Sequence, residues 1–485
     1  MTPNQQLLIK NILQAPIQDH PGQEITYAGT LRFTYAQFRE RVARLAAMLQ
    51  AQGVKPGDTV AVMDYDSHRY LECYFAIPMI GAVLHTINIR LSPEQMAYTI
   101  GHAEDDVILV NADFLPLLEQ IKGRLDTVEK YILVSDTGET PATTLDLVGE
   151  YEALLAASQP LAEFPDFDEN TRATTFYTTG TTGLPKGVFF SHRQLVLHTL
   201  AGLAALGSNA TQGRFHREDV YMPITPMFHV HAWGIPYMAT MLGVKQVYPG
   251  RYIPEVLARL IATEKVTFSH CVPTIMHMLL TDPKCTGYDL SGWKVVIGGA
   301  ALPMVQLRLV DDDGHGVPRD DKSPGALQVR APWLTPAYLK DTKATDNLWT
   351  NGWLNTGDVA CQNDEGSLRI TDRTKDVIKV GGEWISSLEL EDILLRHPDV
   401  AEAAVIGRPD LRWGETPLAL VVAKKGANPQ EKELAQHVKS FVDTGVLPKE
   451  AILLKARLVE SIARTSVGKT NKVAMRELYL QDSAE

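Results

Sequence analysis

Residues 173–190 read ATTFYTTGTTGLPKGVFF. An apolar segment, Ala173–Tyr177, runs into a loop of four threonines, two glycines and a lysine, and a second apolar segment begins at Val188. Glycine leaves the backbone free to turn its N–H groups toward an anion, and threonine hydroxyls add donors. Lys186 adds a point charge on a flexible stem. The loop is therefore read as a phosphate cradle between two strands rather than a flexible polar connector. It is not the common P-loop, because Pro185 stands where the second glycine of GxxxxGK[ST] belongs.

Outward from this loop, strand and helix patterns alternate. On the N-terminal side Phe38, Val42, Leu45, Ala46 and Leu49 recur at steps of three and four, a helix ended by Gly53 and Pro56. TVAVMD (59–64) reads as a strand, LECYFAIPMIGA (71–82) as a buried helix stopped near Gly81, and VLHTINI (83–89) as a strand. On the C-terminal side VYMPI, KQVYPG and WKVVIGG read as strands and PEVLARLIATEK as a helix. Such alternation implies parallel sheets covered on both faces. From about Leu307 the segments shorten around Gly, Asp and Pro turns, which predicts an antiparallel β unit. Within it DDDGHG (311–316) lacks the spacing and distal glutamate of a calcium loop and reads as a turn. A compact, nearly neutral α+β module follows.

The whole composition sets limits. The 485 residues suggest about two to four folding units. Lys+Arg is 46 against Asp+Glu 58, a net charge of −12, which argues against a surface that grips nucleic acid or anionic lipid. Cys73, Cys271, Cys285 and Cys361 are isolated and fit a reducing compartment. The N-terminal MTPNQQLLIK lacks the features of a signal peptide, and the apolar run Cys73–Leu84 is too short to span a bilayer. These features predict a cytoplasmic enzyme with no integral membrane segment.

YTTGTTGLPKGV resembles the phosphate-binding loop of the adenylate-forming superfamily, which includes acyl-CoA ligases, firefly luciferases and peptide-synthetase adenylation domains. Further stretches resemble that family in order. PMFHVHAWG (226–234) is similar to the aromatic motif bordering the acyl pocket, and GGAALP (298–303) to the strand end beside it. NTGD (355–358) is similar to the ribose-binding motif, DRTKDVIKVGGEWIS (372–386) to the interdomain hinge and following loop, and RTSVGKTNK (464–472) to the segment carrying a mobile lysine. MFHVHAW with GGEWIS looks most like the fatty-acyl-CoA ligase branch. The fold implied is α/β: a large N-terminal domain (1–371) with two parallel sheets flanked by helices plus a small β unit, a hinge at 372–375, and a small mobile C-terminal α+β domain (376–485).

The resemblance implies that ATP, Mg²⁺ and coenzyme A act on a fatty acid or similar carboxylate. Thr178, Thr179, Gly180, Thr181, Thr182, Gly183 and Lys186 would hold phosphates, and Thr182 is the candidate metal ligand. Asp358 and Arg373 would hold the ribose, and Lys375 and Lys379 would meet the phosphate side, where solvated-face readings compete. Lys469, Thr182 and His229 make up the catalytic set. The acyl pocket would lie at His229, Val230, Trp233, Gly298, Gly299 and Ala300. Ordinary core packing is the alternative for Trp233, and HVH lacks a third ligand for zinc. Gly381, Gly382, Trp384 and Trp413 would line the coenzyme A path. The resemblance mildly favours a homodimer.

One departure stands out. The family runs from GGAALP through a helix and strand to a YGxTE-like motif that stacks on adenine and supplies a metal-binding glutamate. Here Pro303 meets MVQLRLVDDDG at once, no YGxTE occurs, and roughly sixty residues are missing by the family's usual spacing. Either the residues beside Pro303 flank a mobile segment not represented here, or the chain carries a true deletion. The intact remaining motifs favour the first. A deletion would leave a sheet edge or core face uncovered.

Overall fold

The computed structural model describes residues 5–178, 184–208, 213–297, 302–464 and 470–480. The chain forms two compact units. One comprises Met1–Thr179, Leu184–Val305 and Ala331–Thr342, and the other takes in Gln306–Arg330 and the chain from Lys343 onward.

The first unit holds two sheets. The seven-stranded sheet runs in the order Leu147–Glu150, Lys130–Val134, Asp105–Asn111, Thr59–Met63, Val83–Thr86, Arg172–Thr178 and Lys186–Ser191. Its strands are parallel except the last pair, which is antiparallel. The six-stranded sheet runs Lys294–Ile297, Phe268–Cys271, Val220–Tyr221, Lys245–Tyr248, Glu24–Tyr27 and Leu31–Thr34. It too is parallel apart from its last pair. The predicted amphipathic helix spans Tyr35–Ala51, and Thr34 and Gln37 close a capping box at its start.

The predicted buried helix spans His68–Met79, and every one of its residues is buried. A helix apolar all round belongs in a core. This one carries polar side chains at His68, Arg69 and Glu72, so each needs a partner. Glu72 accepts from Arg41 at 2.6 Å and from the Tyr151 hydroxyl. Glu152 meets Arg41 at 2.9 Å, Arg69 at 3.0 Å and His68 at 3.3 Å.

In the second unit, Gln306–Val310, Gly325–Arg330, Trp353–Gln362 and Leu368–Arg373 are antiparallel, as predicted. Asp311 closes the DDDGHG turn by accepting from the backbone of Asp313 and His315. A further sheet packs Ile378–Val380, Glu383–Ile385, Gly414–Ala423, Val400–Asp410 and Lys455–Leu458 around the helix Ser387–Leu395.

At Pro303 the sequence passes directly into Met304. The 485-residue sequence is continuous, and Leu302–Val305 form a turn in which Val305 N–H donates to the Leu302 carbonyl at 3.1 Å. Among the described residues Lys294–Ile297 is an edge strand, and Ile297 is 48% exposed.

Candidate active site

The strands Arg172–Thr178 and Lys186–Ser191 pair with Thr178 opposite Lys186 and Tyr177 opposite Gly187. These two antiparallel strands, at one edge of the seven-stranded sheet, flank the threonine-glycine loop in the sequence. Thr179, Gly180, Thr181, Thr182 and Gly183 lie outside the described residues. The base of the loop is fixed. Gly187 accepts from Leu339 N–H at 2.8 Å, and a Cβ at Gly187 would sit 3.0 Å from Leu339 and 3.1 Å from the Tyr177 ring. The Tyr177 hydroxyl bonds His102 Nδ1 at 2.8 Å. Lys186 Nζ lies 4.7 Å from the Tyr338 ring centre, a cation–π contact that leaves its charge free of a carboxylate among the described residues. Tyr338 has no motif of its own, and sequence reading missed it.

The acyl motif is held from several sides. Met227 N–H donates to Asp66 Oδ1 at 2.9 Å, Tyr74 donates to the Met227 carbonyl, and Thr86 donates to the Phe228 carbonyl at 3.1 Å. His229 and Val230 are exposed, while His231 is buried between Phe176 and Tyr74. Burial pushes the His231 imidazole down to about 3, so it stays neutral. One exposed and one enclosed ring do not make a metal pair. Trp233 is half-buried, its ring 5.3 Å from His270 and packed against the cluster around Phe215 and Phe268. Gly298, Gly299 and Ala300 lie outside the described residues.

In the second unit, the antiparallel register sets Asp358 opposite Arg373, and their side chains pair at 3.0 Å. Gly357, at φ +77°, accepts from Thr374 N–H and tightens the NTGD turn. Burial raises the Asp358 carboxyl, and Arg373 opposes the rise. Lys375 is exposed, and partial desolvation lowers its ammonium pKa. Lys379 pairs with Asp312 at 2.5 Å and lies over the Trp384 ring at 4.7 Å.

Gly381 and Gly382 form the two-residue turn between Ile378–Val380 and Glu383–Ile385, at φ +62° and +95°. Such a turn demands glycine-like freedom. A Cβ at Gly381 would also meet the Trp413 ring at 3.1 Å, whereas one at Gly382 would meet nothing within 4 Å. The pair therefore has a conformational reason to be glycine as well as the predicted one.

Behind the predicted hinge lies a buried network that sequence reading missed. Asp372 accepts from the Ser387 amide and hydroxyl, and Lys472 reaches both Ser387, at 2.6 Å, and Glu391, at 2.7 Å. Lys472 stands beside the RTSVGK motif, and only its buried partners mark it as structural. Lys469 itself lies outside the described residues. Among those residues, the one cluster with metal-ligand spacing is Asp311, Asp313 and His315, all exposed in the turn described above. No described helix is long and apolar enough to cross a membrane.

Comparison with known proteins shows the family and the fold. Residues 13–306 match the family model "AMP-binding enzyme", and residues 389–469 match "AMP-binding enzyme C-terminal domain". The first match stops just past Pro303. The chain is 38% identical to the long-chain-fatty-acid–CoA ligase of Thermus thermophilus, over 92% of this chain and 90% of that protein. It is 35% identical to the 3-methylmercaptopropionyl-CoA ligase of Ruegeria pomeroyi, over 98% of each. That alignment spans 539 positions against 485 residues, so at least 54 positions have no residue here. In structure, the chain is similar to ATP-bound MatB from Rhodopseudomonas palustris, with TM-score 0.80 and 23% identity, over 99% of this chain and 100% of that one. With both family models matched in order and more than half the residues covered by the first, the chain belongs to the AMP-binding enzyme family.

Proposed function

We propose that the chain is an ATP-dependent, AMP-forming acid–thiol ligase that activates a medium- or long-chain fatty acid and passes it to coenzyme A. The observation that carries this reading is the pair of family matches laid over the Thr178–Lys186 hairpin and the Asp358–Arg373 pair. A carboxylate oxygen attacks the α-phosphorus of ATP and pyrophosphate leaves. The thiol then attacks the acyl carbon and AMP leaves. Charge gathers on phosphoryl oxygens in the first step, so positioning and fixed positive charge do most of the work.

In this reading the 178–183 loop with Lys186 holds the outer phosphates. Asp358 accepts from the ribose hydroxyls, with Arg373 beside it, and Lys375 faces the nucleotide. Lys379 reaches a phosphate only by leaving Asp312. Lys469 enters the site by rotation of the 376–485 domain about the 372–375 hinge. His229, Val230, Trp233 and Gly298–Ala300 border the acid, and Gly381, Gly382, Trp384 and Trp413 border the pantetheine path. Thr182 is this chain's hydroxyl for Mg²⁺. When bound, the ion would offset the charge that gathers on the phosphoryl oxygens. The free, buried cysteines support a cytoplasmic setting, and a homodimer is part of the same reading.

The test is an assay of pyrophosphate release and acyl-CoA formation over saturated acids of increasing length. Release that needs both ATP and the acid, with product that needs coenzyme A, is expected. Nucleotide binding without release rejects the enzyme reading. Lys469→Ala is expected to lower adenylate formation by about 3–4 kcal/mol in barrier while sparing thiolysis of a supplied acyl-adenylate. Equal losses in both halves overturn that role.

A further inference from the structure

Val230, His231, Ala232, Trp233 and Gly234 lie at φ +50°, +51°, +47°, +57° and +72°. This is a complete left-handed turn, and four of its five residues carry a Cβ. Single L residues visit this region sparingly, and β-branched ones such as Val230 least of all. Strain of this kind persists only where the surroundings over-determine it.

The strongest restraint enters from Asp66. Its Oδ1 accepts from Met227 N–H at 2.9 Å, and its Oδ2 accepts from the Tyr252 hydroxyl at 2.5 Å. Its own carbonyl accepts from Gly250 N–H at 2.9 Å, which pins the aspartate to the six-stranded sheet. Met227 stands three residues before the left-handed turn. From there the chain closes by His229 N–H to the Pro226 carbonyl and Ala232 N–H to the His229 carbonyl, both at 2.9 Å.

We propose that Asp66 is a positioning residue for acid binding: its carboxylate anchors Met227 and so holds Val230–Gly234 in the left-handed form that presents Trp233. The proposal rests on the ligase reading above. Asp66 touches no reacting atom in it.

The charge of Asp66 matters because a carboxylate is a stronger acceptor than a neutral carbonyl. Burial, partly offset by the Tyr252 and Met227 bonds, pushes the Asp66 carboxyl up to about 7. The charged groups facing it are Asp64, which raises it further, and Arg90, which lowers it. Tyr70, Tyr74, Tyr221, Tyr248 and Tyr252 are buried phenols held neutral. Within the loop, His231 is depressed to about 3. Anchoring is therefore strongest above about pH 7 and weakens as the proton returns to Asp66.

The experiment measures kcat and KM between about pH 6 and 8.5 for the wild type, Asp66→Asn and Tyr252→Phe. In the wild type, KM for the acid should rise as pH falls through about 7. Asp66→Asn keeps the shape and loses the charge. It should raise that KM about tenfold at pH 8, leave KM for ATP unchanged and abolish the inflection. Tyr252→Phe removes a bond that favours the charged form, so its inflection should move to higher pH. Amide exchange of the 227–233 segment, followed by mass spectrometry without substrate, should be faster in Asp66→Asn. Unchanged exchange, or a uniform loss in every kinetic parameter, overturns the proposal. A wild type without ligase activity rejects the functional reading alone, and the exchange result still decides the anchor.

Discussion

Asp358 and Arg373 meet because a strand register brings them opposite each other, fifteen positions apart in the chain. The sequence marks Asp358 through NTGD and Arg373 through DRTKD. It does not reveal that the guanidinium is already committed to the carboxylate. That pairing orients Asp358 and limits the rise that burial imposes on its carboxyl. Replacing Asp358 with alanine should cost about 1.5–3 kcal/mol of ATP binding, the value of hydrogen bonds to a charged group, or roughly 10–100-fold in KM for ATP. Arg373→Ala should cost less, because the carboxylate remains. If Asp358→Ala instead lowers the melting temperature and leaves KM for ATP intact, the residue is a structural member of its turn. Lys379 shows the converse case. Its hinge motif suggested a phosphate contact, while the fold pairs it with Asp312, 67 positions away in the chain, and lays it over Trp384 of the same motif.

At the scale of the element, periodicity served well wherever burial is one-sided. The Tyr35–Ala51 helix and the alternating strands follow from apolar spacing alone. The handedness of Val230–Gly234 does not, because only its last residue is glycine and the other four are ordinary in composition. Long-range restraints impose that turn, and no local pattern records them. Val230 offers a clean test, being 36% exposed at φ +50°. Glycine there would remove a left-handed penalty of about 1–2 kcal/mol, set against about 0.5–1 kcal/mol of added chain entropy. A net gain of about 0.5–1 kcal/mol in unfolding free energy is expected. A loss of similar size would mean that the valine side chain holds the loop by packing and that the turn is not strained.

Across the whole molecule, strand–helix alternation was legible, but the strand order and the Arg41–Glu72–Glu152–Arg69 network were not, since they join distant stretches that carry no mutual signal. The shortfall at Pro303 was legible only against the family's spacing, and its exposed strand edge only from the structure. The buried carboxyls also set how the fold responds to pH, in opposite directions. Glu152 is raised by burial but held low overall by His68 and Arg41, so its contribution is present above the ordinary carboxylate range and lost as pH falls below it. Asp66 is raised from 3.8 to about 7, so its contribution is full below about pH 4 and is lost as pH climbs through 7. Asp66→Asn removes the second loss. The variant should match the wild type near pH 4 and grow more stable up to about pH 7, where the difference levels off. At about 1.4 kcal/mol for each step in pKa, the plateau reaches at most ~4 kcal/mol. Unfolding midpoints recorded across that range check the shape of the curve. A difference that does not vary with pH would show that Asp66 holds the same charge folded and unfolded. If this curve and the proposed rise in KM for the acid both hold, the same substitution strengthens the fold and weakens acid binding, and the wild-type aspartate persists at a cost to stability because the left-handed turn needs a charged anchor.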